Sequence, residues 1–177
     1  SSIAFANYNY QWRNFTRYKD GLTSNTIRKI VVGKTGQVWV ATDQGLLRFD
    51  GFWHQVPLAV PSSENLEVPP AQISILDLLV DHRGNLWIAT NIGIFIGRWP
   101  SDRQKMVWTS FQTQKTGLSA DYISVITERR NGEVWVGTPV GVCWQRLGDK
   151  SWQKAQTPYV TGIYEDLQNQ LWLANQP

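Results

Sequence analysis

An all-β propeller is the fold this sequence predicts, and three observations predict it. One phrase recurs at a nearly fixed period, two kinds of turn recur with it, and the strands between them are apolar on both faces. The phrase reads Gly36-Gln-Val-Trp-Val-Ala-Thr42, Gly84-Asn-Leu-Trp-Ile-Ala-Thr90, Gly132-Glu-Val-Trp-Val-Gly-Thr138 and, in a worn copy, Asn169-Gln-Leu-Trp-Leu-Ala-Asn175. Trp39, Trp87 and Trp135 stand 48 residues apart, and Trp172 follows 37 residues later. Periods of this length belong to propellers and solenoids.

Each repeat reads as four strands. The first is Ile27–Val32, matched by Ile75–Val80, Ile123–Glu128 and Val160–Glu165. A turn follows, Gly33-Lys-Thr-Gly36 or Asp81-His-Arg-Gly84, in which Gly supplies positive φ and Asp bonds its own backbone. Asn169 replaces that Gly in the fourth copy, the next-best residue for the left-handed region. The Trp strand comes next, then a second turn at Asp43-Gln-Gly45, Asn91-Ile-Gly93 or Pro139-Val-Gly141, then a third strand such as Leu46–Phe49. The fourth strand carries its own Trp: Trp12, Trp53, Trp108 and Trp152. Trp12 to Trp39 and Trp108 to Trp135 are both 27 residues, which fixes the register independently. Runs such as Val38-Trp39-Val40-Ala41 require cover on both faces, and radially stacked sheets provide it.

The last repeat stops after its Trp strand, and Ser1–Ala6 reads as the missing third strand with Trp12 in the fourth. Laid on the first repeat, Ile3 falls on Leu47 and Phe5 on Phe49. The expected organisation is one propeller domain or half-propeller over 1–177. Residues 1–18 close the last blade, 19–56 form blade 1, 57–111 blade 2, 112–156 blade 3, and 157–177 the inner strands of blade 4. Two closures satisfy this, a self-closed four-bladed ring or eight blades in a homodimer joined through the terminal half-blades; an excised piece of a longer array is the third reading. Open half-blades would leave apolar strand edges, which invite pairing.

Composition narrows the partners. The chain is 42% hydrophobic, enough to bury a core as one domain, and no apolar run reaches the 18 residues or so of a membrane span. The net charge of +3 comes from scattered Lys and Arg, not the stripe a nucleic-acid surface needs, so neither nucleic acid nor direct membrane insertion is expected. Cys143 is alone, which excludes an internal disulfide, and reads as a small buried hydrophobe on a third strand. Eight of the ten Trp occupy equivalent repeat positions and are expected to pack; Trp99 and Trp144 fall outside the pattern and are the better candidates for surface use.

Catalytic chemistry is nearly absent. His82 lies in a turn beside Asp81 and His54 on an outer strand, neither in a metal-ligand spacing. No Gly-x-Ser-x-Gly or phosphate loop is present. The expectation is no enzyme, no cofactor and no metal.

Propeller geometry places any ligand at the channel mouth, where the loops leading to the first strands meet the turns between second and third strands. The residues there are Asn25, Thr26, Asp43, Ser74, Asn91, Asp121, Tyr122 and Tyr159. Asn and Asp orient hydroxyl groups and Tyr offers a stacking face, which suits a polar small molecule or glycan; Asn25 and Asp121 also suit turn capping by themselves. The long segment Val56–Pro70, with four prolines, is expected to form a stiff flap beside the mouth, Glu64 and Glu67 being its exposed acids.

The pattern Gly-Leu-Thr/Ser-x-Asn/Asp-x-Ile, then Asp-x-x-Gly-x-Leu/Val-Trp-Ile/Val-Ala/Gly-Thr-x-x-Gly, resembles the two-component regulator propeller repeat. Gly21-Leu22-Thr23-Ser24-Asn25-Thr26-Ile27 and Gly117-Leu118-Ser119-Ala120-Asp121-Tyr122-Ile123 match its opening, and Gly84–Thr90 with its copies matches its centre. The resemblance implies the extracytoplasmic (periplasmic) sensory portion of a bacterial hybrid histidine kinase or related signalling protein, membrane-anchored in its parent and often seven-bladed; some relatives recognise oligosaccharides. This sequence shows four repeats and no kinase, transmembrane or output segment, so the sensory role attaches to a parent protein. The alternative is a protein-interaction scaffold. Ile96-Gly97-Arg98 also echoes streptogramin-lyase propellers, whose chemistry needs a His with acidic, metal-supporting partners near the mouth.

Overall fold

A computed structural model describes residues 3–6, 12–58, 73–100, 105–146, 148–149 and 151–176. The chain forms strands β1 (Ile3–Ala6) and β2 (Trp12–Phe15), a one-turn helix α1 (Arg17–Asp20), β3 (Ile27–Val32), β4 (Val38–Thr42), β5 (Gly45–Phe49), β6 (Trp53–Val56), β7 (Ile75–Val80), β8 (Leu86–Thr90), β9 (Gly93–Arg98), β10 (Val107–Gln112), β11 (Val125–Glu128), β12 (Glu133–Thr138), β13 (Gly141–Arg146), β14 (Gln153–Ala155), β15 (Tyr159–Glu165) and β16 (Leu171–Gln176). Strands β3–β6, β7–β10 and β11–β14 form three four-stranded antiparallel meanders, blades 1 to 3. Successive first strands β3, β7, β11 and β15 lie side by side, as the innermost strands of a propeller do.

The recurring residues make recurring turns. Gly36, Gly84 and Gly132 have φ of 84°, 83° and 82°, and Asn169 takes the same place at 62°. Thr42, Thr90 and Thr138 each end a Trp strand and donate a hydroxyl hydrogen bond to the carbonyl of Gly45, Gly93 or Gly141 three residues on, at 3.0, 2.7 and 2.9 Å. The repeated Thr is therefore a turn staple.

Core formation follows the blade seams. Trp39, Ala41, Leu46 and Val56 of blade 1 pack on Leu78, Leu86, Ile88 and Phe95 of blade 2. Trp87, Ala89, Ile94 and Ile96 of blade 2 then pack on Ile123, Ile126, Val134 and Val136 of blade 3. Cys143 is fully buried in that second cluster. Trp99 and Trp144, the better candidates for surface use, are half-buried and in packing contact: Trp144 stacks on Trp135 at 4.4 Å between ring centroids, and Trp99 meets Trp39 edge-on at 5.7 Å.

The fourth blade differs from the expectation. Among the described residues of one chain, strands β15 and β16 pair only with each other and β1 and β2 form a separate two-stranded sheet, so no sheet closes the ring. The two short sheets sit at opposite ends of the array: Phe15 lies edge-on to Phe49 at 5.3 Å and to Trp53 at 5.5 Å, and with Leu22 it covers Val40 and Leu47 of blade 1, while β15 packs against blade 3. The expected flap with Glu64 and Glu67 lies largely outside the described residues.

Candidate functional site

The upper face of the sheets carries the loops leading to the first strands and the turns between second and third strands. The array brings Tyr122, just before β11, and Tyr159, the first residue of β15, together: their rings meet edge-on with centroids 6.4 Å apart. Tyr122 is 39% exposed, so the pair presents aromatic surface to solvent across the junction of blades 3 and 4. Burial, then a hydrogen bond to Tyr122 and the proximity of its charge, pushes the Tyr159 phenol above its ordinary value of 10.0. The neutral form is the one the fold favours, so this group's contribution to stability is complete below about pH 10 and is lost as pH rises through the raised value. Ultraviolet titration should show a late-ionising phase, and Tyr159→Phe should remove it.

The other upper-face residues are held by local bonds. Asn25 Oδ1 accepts from the Arg17 amide at 3.0 Å, and Asp121 Oδ1 accepts from the Gln114 amide. These equivalent positions both tie a short helical turn to the loop that follows it. Asn91 Oδ1 accepts from the Ser74 amide at 2.8 Å, and the Asn91 amide returns a bond to the Ser74 carbonyl at 3.1 Å. Thr26 is exposed and its amide donates to Ser24 Oγ at 2.9 Å; Asp43 is exposed at its turn. Of the eight candidates, the two tyrosines are the pair whose side chains the array brings against each other.

On the lower face, at the turns between first and second strands, lies a network that sequence reasoning missed. Asp81 is buried and accepts from the Trp87 indole at 2.8 Å, from the Arg83 and Asn85 amides at 2.9 and 2.8 Å, and from the Asn85 side chain at 2.7 Å. Asp166 repeats this with Trp172 at 2.8 Å and the amides of Gln168 and Gln170. The Trp172 indole first, and then the Gln170 amide, hold the Asp166 carboxyl below its ordinary value. The signal was present: an Asp six residues before the Trp in these two copies. Blade 3 has Arg129 there, and Glu133 Oε2 accepts from the Trp135 indole instead, at 3.2 Å.

A cavity of about 540 Å³ opens between blades 2 and 3 on this face, lined by His82, Arg83, Glu128, Arg129, Arg130 and Arg146 among others. Its charges are largely internally matched: His82 pairs with Glu128, and Arg129 with Glu165 at 2.9 Å and Glu133 at 3.6 Å. His54 pairs with Asp50 at 2.9 Å on the outer strand of blade 1. Among the described residues no cluster of His, Cys, Asp or Glu is arranged to hold a metal ion, and no helix is long and apolar enough to cross a membrane.

Three stacked meanders with adjacent innermost strands and repeated turns define a protein of propeller blades. Residues 69–91 match the two component regulator propeller, so the chain carries that repeat. Its structure is similar to the extracellular domain of BT4673, assigned as a hybrid two component system of B. thetaiotaomicron, at 24% identity and a TM-score of 0.71, covering 94% of this chain and 22% of that one. It is also similar to the extracellular domain of the BT3049 system of the same organism, at 18% identity and a TM-score of 0.70, covering 91% and 22%. Virginiamycin B lyase from Staphylococcus aureus matches at 16% identity and a TM-score of 0.67, covering 98% and 56%. The chain thus spans less than a quarter of the two sensor domains and little more than half of the lyase. No curated protein matches the sequence.

Proposed function

We propose that this chain is a non-enzymatic, ligand-binding propeller module of an extracytoplasmic bacterial sensor, taking a polar small molecule or oligosaccharide at the upper face. The observation that carries the reading is the Tyr122–Tyr159 pair. The corresponding residues in the other blades are Asn25-Thr26 and Ile73-Ser74, while the turn and core positions around them repeat closely. Packing alone does not ask for that variety, and solvent-facing aromatic rings beside hydroxyls and a carboxylate are what recognition of a polyol uses. The extracellular placement of the similar sensor domains supports the compartment. The non-enzymatic part rests on the histidines: His82 is ion-paired on the lower face and His54 on an outer strand, both away from the proposed mouth.

Calorimetric screening of neutral and acidic oligosaccharides and small polar molecules tests the reading. A saturable ligand that protects the Tyr122 and Tyr159 rings from chemical iodination is the expected result. A panel without a binder makes the protein-interaction scaffold the leading reading, and turnover of a bound molecule contradicts the non-enzymatic assignment.

A further inference from the structure

Three of the four repeat tryptophans hold a carboxylate on the indole nitrogen. Trp87 donates to Asp81 at 2.8 Å, Trp172 to Asp166 at 2.8 Å and Trp135 to Glu133 at 3.2 Å. Trp39 breaks the series. Gly33 stands where Asp81 and Asp166 stand, and Gln37 where Glu133 stands, so blade 1 supplies an acid from neither position. The turn backbone is otherwise the same: the Gly33 amide donates to the Gln37 carbonyl at 2.7 Å, as the Asp81 amide does to the Asn85 carbonyl at 3.0 Å. A Cβ on Gly33 would lie 3.5 Å from the Trp39 indole nitrogen, which therefore faces the place a carboxylate fills in blades 2 and 4. The Gln37 side-chain oxygen sits close to that place without bonding the indole, and among the described residues the indole has no acceptor, although Trp39 is only 3% exposed. A donor so nearly buried costs stability unless something accepts from it.

Trp39 borders a cavity of about 530 Å³ on the lower face between blades 1 and 2, within the range of about 300–1,000 Å³ usual for small-molecule sites. Its described walls carry Lys34, Arg83 and Arg98 and no Asp or Glu. Lys34 bonds the His82 carbonyl and Arg98 the Asn85 side-chain oxygen at 3.2 and 3.1 Å; neither has a carboxylate partner among the described residues. The cavity between blades 2 and 3 is different, because there the cations meet Glu128, Glu133 and Glu165. Trp39, Val80, Leu86, Trp99 and Pro100 make much of the remaining wall apolar.

We propose that this cavity binds a small carboxylate with an apolar body, of the aryl-acetate kind. Its carboxylate accepts from the Trp39 indole as Asp81 does from Trp87, Lys34, Arg83 and Arg98 supply the countercharge, and the ring lies against the apolar wall. A carboxylate only accepts, which matches walls whose charged groups and indole only donate. A polyol brings hydroxyl donors, for which the described walls hold no acid. The site lies apart from the tyrosine pair of the upper face and does not depend on what that face binds.

Calorimetry with phenylacetate, and with phenylacetamide as a neutral molecule of the same shape, tests this. Phenylacetate should bind saturably and at least tenfold more tightly than the amide. Gly33→Asp should abolish binding, because the chain then supplies the acid itself; the close contact of the new Cβ is with the flexible end of Gln37, which turns aside. The same substitution should raise the melting temperature by giving the Trp39 indole its acceptor, so lost binding is separated from lost fold. Lys34→Gln combined with Arg98→Gln, both at exposed positions, should weaken phenylacetate at least tenfold without any change at Gly33. Tyr122→Ala combined with Tyr159→Ala should leave its affinity unchanged. The proposal is overturned by the absence of saturable phenylacetate binding, by equal affinity for the amide, or by undiminished affinity in either the folded Gly33→Asp variant or the Lys34, Arg98 double variant.

Discussion

Trp87→Ala is expected to cost about 3–5 kcal/mol, the range for removing a large buried aromatic side chain. Trp87 is fully buried in the seam between blades 2 and 3, among Ile123, Ile126 and Val136. The cavity left behind sits between two sheets held by many other contacts, so it cannot collapse without moving a whole blade. The loss also removes the indole that bonds Asp81. Against a typical domain stability of about 5–15 kcal/mol, thermal unfolding should fall by roughly 10 °C. The equivalent Trp172→Ala should cost far less, since that side chain is largely solvent-exposed. Equal shifts for the two variants would mean that the blades are stacked in a different register.

Asp81→Ala is the second large effect, expected at about 2–4 kcal/mol because buried donors lose their acceptor together. The donors are the Trp87 indole, the Asn85 amide and side chain, and the Arg83 amide. Asp81→Asn keeps an acceptor oxygen and should recover part of the loss. Denaturant unfolding of the three proteins decides it: an Asp81→Ala midpoint unchanged from the parent would show that the network contributes nothing. Asp166, in the equivalent turn of blade 4, contributes to the pH dependence. Its lowered carboxyl contributes stability above its ordinary value of 3.8, and that contribution disappears as pH falls through the folded value.

The blades were legible in the sequence because each structural position repeats with a physical reason. The Gly at positive φ, its replacement by Asn169, and the Trp strand packed on the next blade could all be read from residue type and spacing. Closure was not legible. Phe5 and Trp12 align with a missing half-blade, and the packing of Phe15 on Phe49 and Trp53 puts that hairpin beside blade 1, but residue type and spacing do not give the curvature that decides whether β16 of the same chain reaches it. The packing of Trp99 was not legible either: it lies outside the repeat, yet Arg48 stacks over it at 4.3 Å and Trp39 meets it edge-on. The candidate site was half legible. Tyr122 and Tyr159 belong to different copies, 37 residues apart, and their meeting depends on adjacent blades presenting the starts of their first strands side by side. Asn25 and Asp121 looked alike as ligands and as caps, and their bonds to the Arg17 and Gln114 amides show the capping use directly.

The claim that upper-face variation serves recognition is tested most directly by titrating the best ligand from the screen into the Tyr122→Ala, Tyr159→Ala double variant, with its melting temperature measured alongside. Recognition through the tyrosine pair predicts a melting temperature within a few degrees of the parent, since partly exposed positions at the edge of the blades cost little to change, and an affinity at least tenfold weaker. Undiminished affinity in a folded double variant would contradict it.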